Sequence, residues 1–256
     1  QYGSPAVLQL KEVEKPAPHD NEVLVRVHAS SINFADNAVL TGTPFVIRFY
    51  AGLSKPKFPV NGADIAGRVE AVGKNVTRFK VGDEVFGDAS NSGRGAYAEY
   101  ATVSENDLTH KPTNVTYEQA AAVPLAGITA LQGVRNTAKV QAGEKVMIHG
   151  ASGGVGTFAL LIAKALGAKV TAVVSTRNIE MARTLGADHV IDYKKEDFTQ
   201  SNERYDVIIA TNGDRSVSEY KGALKSGGRL LVLGGTMKQI FRSMLFGSLV
   251  FMSGDK

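Results

Sequence analysis

The alternation of apolar and polar residues along the chain changes its period near Thr116. Before that point, short runs alternate with a period of two, which is typical of half-buried β-strands. The strands predicted there cover residues 22–29, 66–72 and 84–87. Gly73, Gly82 and Gly87 mark turns around them. Short strands at this spacing predict a small β-barrel or sandwich.

After Thr116, buried-type strands alternate with helices. Thr116 is placed to cap a helix over residues 117–123. The later strands are predicted over residues 145–149, 168–175, 189–192, 205–210 and 229–234, with helices over 154–166 and 178–185. Strand–helix alternation predicts βαβ units, and right-handed crossovers then give a doubly wound parallel sheet. We therefore expect an α/β protein with two domains, residues 1–116 and 117–256.

A glycine-rich turn joins the strand at 145–149 to the helix that follows it. Its spacing, Ala151-x-Gly153-x-x-Gly156, is that of a dinucleotide-binding turn with Ala in the first position. Glycine at 153 leaves room for a pyrophosphate, and Gly156 lets the helix pack closely on the strand. The amides at the helix start then face the phosphates. The cofactor-binding residues predicted in this turn are Ser152, Gly153, Gly154, Val155 and Gly156.

The end of the next strand indicates which dinucleotide is bound. An NAD-binding sheet places Asp or Glu there, on the ribose hydroxyls, whereas this chain has Ser175, Thr176 and Arg177. No carboxylate would repel a 2′-phosphate, and Arg177 can pair with one. These three residues are therefore predicted to bind cofactor, and NADPH is favoured over NADH. The alternative is that Arg177 is a solvated residue of the first helical turn.

Composition narrows the class of protein. The net charge is +4, but Lys and Arg are interleaved with Asp and Glu, which argues against a nucleic-acid-binding surface. The chain has no cysteine, so disulfides, thiolate metal sites and a Cys nucleophile are excluded. No run reaches the ~20 apolar residues of a membrane span. We expect a cytoplasmic location.

Several further motifs complete the pattern. They are SINFAD at 31–36, GADIAGRVEAVG at 62–73, VGDEVFG at 81–87, GAYAEY at 95–100, GITALQ at 127–132 and LGAD at 185–188. With the glycine-rich turn they resemble the medium-chain dehydrogenase/reductase superfamily, in particular its zinc-free quinone oxidoreductase branch. The resemblance covers essentially the whole chain. It implies a GroES-like β-barrel domain and a Rossmann domain with a doubly wound parallel sheet.

The departures from the family concern metal binding. Zinc-dependent relatives place a Cys where Asn33 stands, a His-Glu pair where Ala63 and Asp64 stand, and a third ligand near Leu125. Zinc needs three or four N, S or O ligands, so we expect no metal. Without a Lewis acid, alcohol oxidation is harder to assist. The resemblance therefore implies hydride transfer from NADPH to quinones or α,β-unsaturated carbonyls.

The resemblance also supplies candidate contacts. Asn33, Asp36 and Thr129 are candidate catalytic residues, although Asn33 and Asp36 also fit as turn or cap residues. The further cofactor-binding candidates are Tyr193, Asn212, Gly234 and Gly235. Asp64 is expected to be structural. No general acid is evident, so a solvent proton is expected to complete the reduction.

Two other functions are compatible with the sequence. One is a different enzyme of the same fold, either a zinc-free alcohol dehydrogenase or an enoyl reductase. The other is a non-catalytic NADPH-binding protein, structural or sensory. The family pattern also leads us to expect a homodimer, and a chain that lacks the first part of its opening strand and the C-terminal return to the first domain.

Overall fold

A computed structural model describes residues 1–213 and 215–234. The chain divides into two units between Leu125 and Ala126. This division comes later than the change of period at Thr116 because the helix that begins at Tyr117 belongs to the first unit. Its Ala120 and Ala121 pack against Ala66 of the first unit's sheet. Gly235 and the residues after it lie outside the described residues.

The first unit is built on a five-stranded antiparallel sheet. Its strands are β1 Glu22–Ser30, β2 Asp64–Val72, β3 Glu84–Asp88, β4 Tyr100–Ser104 and β5 Leu108–His110. They lie in the order β4-β1-β2-β3-β5. Alternate residues such as Val23 and Val25 point into a core that also holds Ile65 and Val85. The first three strands follow the predicted periodicity, whereas β4 and β5 were not predicted.

Three helices accompany this sheet. They are α1 Phe34–Thr41, α2 Arg48–Ala51 and α3 Tyr117–Ala121. The N-cap of α3 is the predicted Thr116, whose hydroxyl accepts from the amide of Gln119 while the Gln119 side chain accepts from the amide of Thr116. The helix ends two residues before the predicted end. A fourth helix, α4 Pro124–Leu131, begins just before the division and continues into a π-helical turn, Gln132–Thr137.

The second unit contains a five-stranded parallel sheet. Its strands are β6 Lys145–His149, β7 Lys169–Val174, β8 His189–Asp192, β9 Tyr205–Ala210 and β10 Leu224–Val232, in the order β10-β9-β6-β7-β8. The helices are α5 Gly154–Ala165, α6 Ile179–Thr184 and α7 Val217–Gly222. Both faces of the sheet are buried. Val146 and Ile148 pack on the side of α5, whereas Met147 packs on the side of Tyr220.

One strand departs from the prediction. β10 starts at Leu224 and ends at Val232, not over 229–234. Leu224 is buried and pairs with Tyr205, but the pairing is irregular between Leu224 and Arg229. Gly227 and Gly228 interrupt the alternation of apolar and polar residues, so the first part of this strand was not predicted. The predicted organisation, a strand-rich first unit followed by an α/β unit with a parallel sheet, is confirmed. Among the described residues, no helix combines the length and apolar character needed to cross a bilayer.

Candidate functional site

The turn after β6 contains glycines that the protein itself requires. Gly150 has a φ of +86°, and a Cβ there would lie 2.9 Å from both the Asn212 amide nitrogen and Thr211 Oγ1. A Cβ on Gly156 would overlap the Gly150 carbonyl oxygen and lie 2.8 Å from Ala151 Cα. These two positions therefore fix the tight turn and the close approach of α5 to the sheet.

Gly153 is different. A Cβ built on it meets only the Gly150 carbonyl oxygen, at 3.6 Å, which is ordinary van der Waals contact. Its φ of −80° is open to any residue. Packing within the described protein therefore does not require glycine at 153. The space above it is what the approach of a pyrophosphate would need.

The start of α5 offers hydrogen-bond donors to that space. Gly153 is the N-cap and supplies no side-chain cap, and the first turn contains no acidic residue. Within the described part of the chain, the amides of Gly154, Val155 and Gly156 have no hydrogen-bond acceptor. Unsatisfied amides and the positive end of the helix dipole together form an anion-binding site. Ser152 is half-buried in the same turn.

Of the residues after β7, Thr176 has a hydrogen-bonded hydroxyl, whereas Arg177 has no ion-pair partner among the described residues. Ser175 is buried, and its Oγ accepts from Asn178 Nδ2 at 3.1 Å. Thr176 is exposed, and its hydroxyl donates to Asp192 Oδ2 at 2.6 Å. Arg177 is also exposed and forms no ion pair with any described residue. Arg177 is thus available to an anionic ligand.

Asp192 is a residue of this region that the sequence reasoning missed. It is the last residue of β8, and it lies opposite Val174 in the sheet. Its carboxylate accepts from the Thr176 hydroxyl and from the amide of Lys194. The Thr176 hydrogen bond, with the amide of Lys194 and the charges of Lys195 and Lys194, keeps the pKa of Asp192 below its ordinary value, against the effect of burial. The signal available in the sequence was its position at the end of a strand next to β7.

The other predicted cofactor residues lie at the same edge of the parallel sheet. Tyr193 follows β8 and is 54% exposed. Asn212 follows β9 and is exposed, and Gly234 follows β10 and has no room for a Cβ because of the Thr211 carbonyl. The carboxyl edge of a doubly wound sheet is where its ligands bind. Gly235 lies outside the described residues.

In the first unit, Asn33 lies in a polar cluster around Asp64. Asn33 is the N-cap of α1. Its Nδ2 donates to Asp64 Oδ2 at 2.9 Å and to Ser31 Oγ at 3.1 Å. The Ser31 hydroxyl also donates to Asp64 Oδ2, at 2.6 Å, and the Leu125 amide donates to Asp64 Oδ1, at 2.8 Å. Both amide hydrogens of Asn33 are thus engaged, so Asn33 can offer a ligand only its oxygen, an acceptor.

Opposing effects act on the pKa of the Asp64 carboxyl group. The residue is fully buried, and burial raises its pKa above the ordinary value, while the hydrogen bonds from Ser31, Asn33 and Leu125 oppose that rise. Asp88, its neighbour across β2 and β3, raises the pKa further. The three donors are those of a structural carboxylate that organises the residues before α1 and the start of α4.

Asp36 forms a separate buried network. It is 2% exposed, and its carboxylate accepts from the Asn33 backbone amide at 2.6 Å. It also pairs with the equally buried guanidinium of Arg94, which in turn donates to Asn61 Oδ1 at 2.7 Å. This arrangement caps α1 and ties it to the loop before β4. It leaves the Asp36 carboxylate no access to a ligand.

Thr129 is the remaining predicted catalytic residue, and Tyr97 is a further polar side chain near Asp36. Thr129 is half-buried in α4, in the second unit. Tyr97 is more exposed, and its hydroxyl donates to the Ser31 carbonyl at 3.3 Å. Burial and the nearby Asp36 raise the pKa of Tyr97 well above its ordinary value. Tyr97 therefore stays protonated and acts as a hydrogen-bond donor.

The donor set does not fit a metal ion. In the described ranges, no three His, Cys, Asp or Glu side chains lie close enough together to hold one. Of the positions that bind zinc in metal-dependent relatives, only Asp64 carries an anionic oxygen, and that carboxylate is satisfied by three donors within the protein.

Comparison with known proteins agrees with this geometry. Residues 19–113 match the family model of the alcohol dehydrogenase GroES-like domain, and residues 154–252 match that of zinc-binding dehydrogenases. The chain is 34% identical to quinone oxidoreductase of Homo sapiens over 243 residues, which cover 91% of the chain and 71% of the relative.

Two solved structures show the same fold. The quinone oxidoreductase of Coxiella burnetii has a TM-score of 0.82 and 31% identity, over 99% of this chain and 86% of that one. A mycobacterial protein solved as a complex with NADPH has a TM-score of 0.78 and 27% identity, over 92% of this chain and 72% of that one. The chain therefore belongs to the medium-chain dehydrogenase/reductase superfamily, in its quinone oxidoreductase-like branch, and is an oxidoreductase that uses a nicotinamide cofactor.

Proposed function

We propose that this protein transfers a hydride from NADPH to quinones or α,β-unsaturated carbonyls without the help of a metal ion. The observation that carries the proposal is the open space above Gly153, at the uncapped start of α5. The mycobacterial relative is known as an NADPH complex, and the Homo sapiens and Coxiella burnetii relatives are quinone oxidoreductases.

The residues of the second unit would bind the cofactor. The free amides of Gly154, Val155 and Gly156 would hold the pyrophosphate, because they lack acceptors among the described residues. Arg177 is exposed and forms no ion pair with any residue that the structure describes, so it would bind a 2′-phosphate. Tyr193 would contact the adenosine, and Asn212 would lie further along the carboxyl edge. The absence of an acidic residue at the end of β7 favours NADPH over NADH.

The choice of substrate follows from the side chains available. Bound NADPH supplies a hydride, and a solvent proton completes the two-electron reduction. The described residues provide no set of metal ligands, and their buried acids are committed to internal partners. Hydride transfer therefore needs a substrate that is already electrophilic, as quinones and enones are. The protein would contribute orientation and polar contacts. Thr129 would contact the substrate, whereas the Asn33 oxygen would contact only a hydroxyl or amide donor.

A panel of substrates tests this proposal. The protein would be supplied with NADPH or NADH and with quinones, enones, simple alcohols (with the oxidised cofactor) and enoyl thioesters, with and without a chelator. We expect NADPH oxidation with quinones or enones, unchanged by the chelator. Turnover confined to alcohols or enoyl thioesters would assign one of the other enzymes of this fold, and NADPH binding with no turnover would indicate a non-catalytic protein. The cytoplasmic location and the homodimer remain predictions.

A further inference from the structure

Asp192 forms hydrogen bonds to two segments at the edge of the parallel sheet, namely the loop after β7 and the turn after β8. Its Oδ2 accepts from the Thr176 hydroxyl at 2.6 Å, and Thr176 belongs to the loop after β7. Its Oδ1 accepts from the amide of Lys194 at 3.1 Å, and Lys194 belongs to the turn after β8. Asp192 is 3% exposed, whereas Thr176 and Lys194 are both exposed. A buried carboxylate thus sets the relative position of two surface segments.

The two segments carry three cationic side chains. Arg177 follows Thr176 directly, and Lys195 follows Lys194. All three cations are exposed, and none forms an ion pair or side-chain hydrogen bond with a described residue. The amide of Lys195 is held by the Asp192 carbonyl at 2.9 Å, so the turn that carries both lysines is anchored on the same residue.

The exposed cations of these two segments are available to an anionic ligand. Some other cations of the second unit have a carboxylate partner instead: Lys164 pairs with Asp188, and Lys225 pairs with Asp206. Arg177, Lys194 and Lys195 form no ion pair with a described residue, although the charges of the two lysines help to lower the pKa of Asp192. The Asp192 carboxylate accepts hydrogen bonds from the Thr176 hydroxyl and the Lys194 amide, and the three exposed cations remain available to an anion from solvent.

We infer that Asp192 is a positioning residue for cofactor selectivity, which acts through Thr176 and Lys194 to hold Arg177 and the Lys194–Lys195 turn around one 2′-phosphate. The inference rests on the proposed NADPH function. On this inference, Lys194 and Lys195 help to bind the phosphate. The Thr176–Asp192 hydrogen bond holds the two loops in a fixed position relative to each other.

The test separates the adenosine end of the cofactor from the rest. Adenosine 2′,5′-bisphosphate and 5′-AMP differ only in the 2′-phosphate, and calorimetric titration gives the dissociation constant of each. Thr176→Val removes the hydroxyl and keeps the branched shape. We expect it to lower the preference for the bisphosphate roughly tenfold, the effect of losing one hydrogen bond to a charged group. Thr176→Ser keeps the hydroxyl and should retain the preference.

Asp192→Leu, which removes both acceptor oxygens and keeps a similar size, gives an independent result because electrostatics and positioning predict opposite signs for it. Removing a negative charge close to a phosphate should tighten bisphosphate binding if charge alone matters. If Asp192 acts by position, leucine provides no acceptor for the Thr176 hydroxyl or the Lys194 amide, both loops are released and the preference falls. Thr199→Val is the matched control, because it removes another Thr–Asp hydrogen bond, to Asp197 at 2.8 Å, outside both loops.

The outcomes distinguish this inference from the proposed function. If wild-type protein shows no preference for the bisphosphate, the proposed use of NADPH fails, and this inference fails with it. If wild-type protein has the preference and Thr176→Val or Asp192→Leu leaves it unchanged or increases it, only this inference is overturned. A loss of preference in Thr176→Val and Asp192→Leu, with Thr176→Ser and Thr199→Val unaffected and all melting temperatures comparable, supports it.

Discussion

The contrast between Gly153 and Gly156 gives the sharpest test of the cofactor site. Both glycines belong to one motif, so the sequence treats them alike. In the structure, a methyl group on Gly153 points into open space, whereas one on Gly156 overlaps the backbone at Gly150. Gly153→Ala should therefore affect binding and spare the fold, and Gly156→Ala should affect the fold itself.

The expected sizes follow from the local geometry. At Gly153, alanine reduces the entropy of the unfolded chain by about 0.4–1 kcal/mol, but it is a poorer N-cap than glycine by a similar amount. The two terms nearly cancel, so the free energy of unfolding should change by about 0.5 kcal/mol or less. At Gly156 the overlapping atom is backbone, and overpacking of this kind costs about 1–3 kcal/mol or more. That corresponds to a fall of about 2–12 °C in melting temperature.

Gly153→Ala should change the affinity for NADPH strongly, in contrast to its small effect on stability. A methyl group on Gly153 would hold the pyrophosphate away from the amides of α5. Loss of one charge-assisted hydrogen bond costs about 1.5–3 kcal/mol, so the Kd for NADPH should rise about 10- to 100-fold. Fluorescence titration with NADPH, beside thermal melts of both variants, measures the two effects. A Gly153→Ala protein that binds NADPH with the wild-type Kd would refute the assignment of this turn as the pyrophosphate site.

Three further outcomes are expected. Arg177→Ala should raise the Kd for NADPH about tenfold and leave that for NADH within about twofold, as measured by fluorescence titration, and equal losses would contradict the role of Arg177. Asp36→Asn should lower the free energy of unfolding by about 3 kcal/mol, because Arg94 is left buried without its counterion, and urea denaturation measures this. The raised pKa of Asp64 means that the folded state binds the proton more tightly than the unfolded state. Stability should therefore fall as pH rises from the ordinary value of 3.8 through the raised pKa, and Asp64→Asn should remove that part of the slope in urea titrations between pH 4 and 7.

The features that the sequence predicted well are local. β6, β8 and β9 have the predicted bounds because each is a short apolar run with turn residues beside it. The helix α5 begins at the predicted Gly154 for the same reason. β10 was misplaced because its first residue, Leu224, is held by a pairing with Tyr205 across an irregular segment. That pairing depends on a partner 19 positions away and leaves no periodic trace in the strand itself.

The candidate site shows the same limit more clearly at Asn33 and Asp36. From the sequence, a catalytic and a structural role were both predicted for each residue, because the two lie three apart in one motif. In the structure, Asp36 faces inward to Arg94, a residue 58 positions away, and becomes a buried cap. Asn33 remains half-exposed, but Ser31 and Asp64 engage both of its amide hydrogens. Only Asn33 can therefore contact a ligand, and it does so as a hydrogen-bond acceptor. A substrate carbonyl, itself an acceptor, would gain nothing from Asn33, so any contact that Asn33 makes must be with a hydroxyl or amide donor.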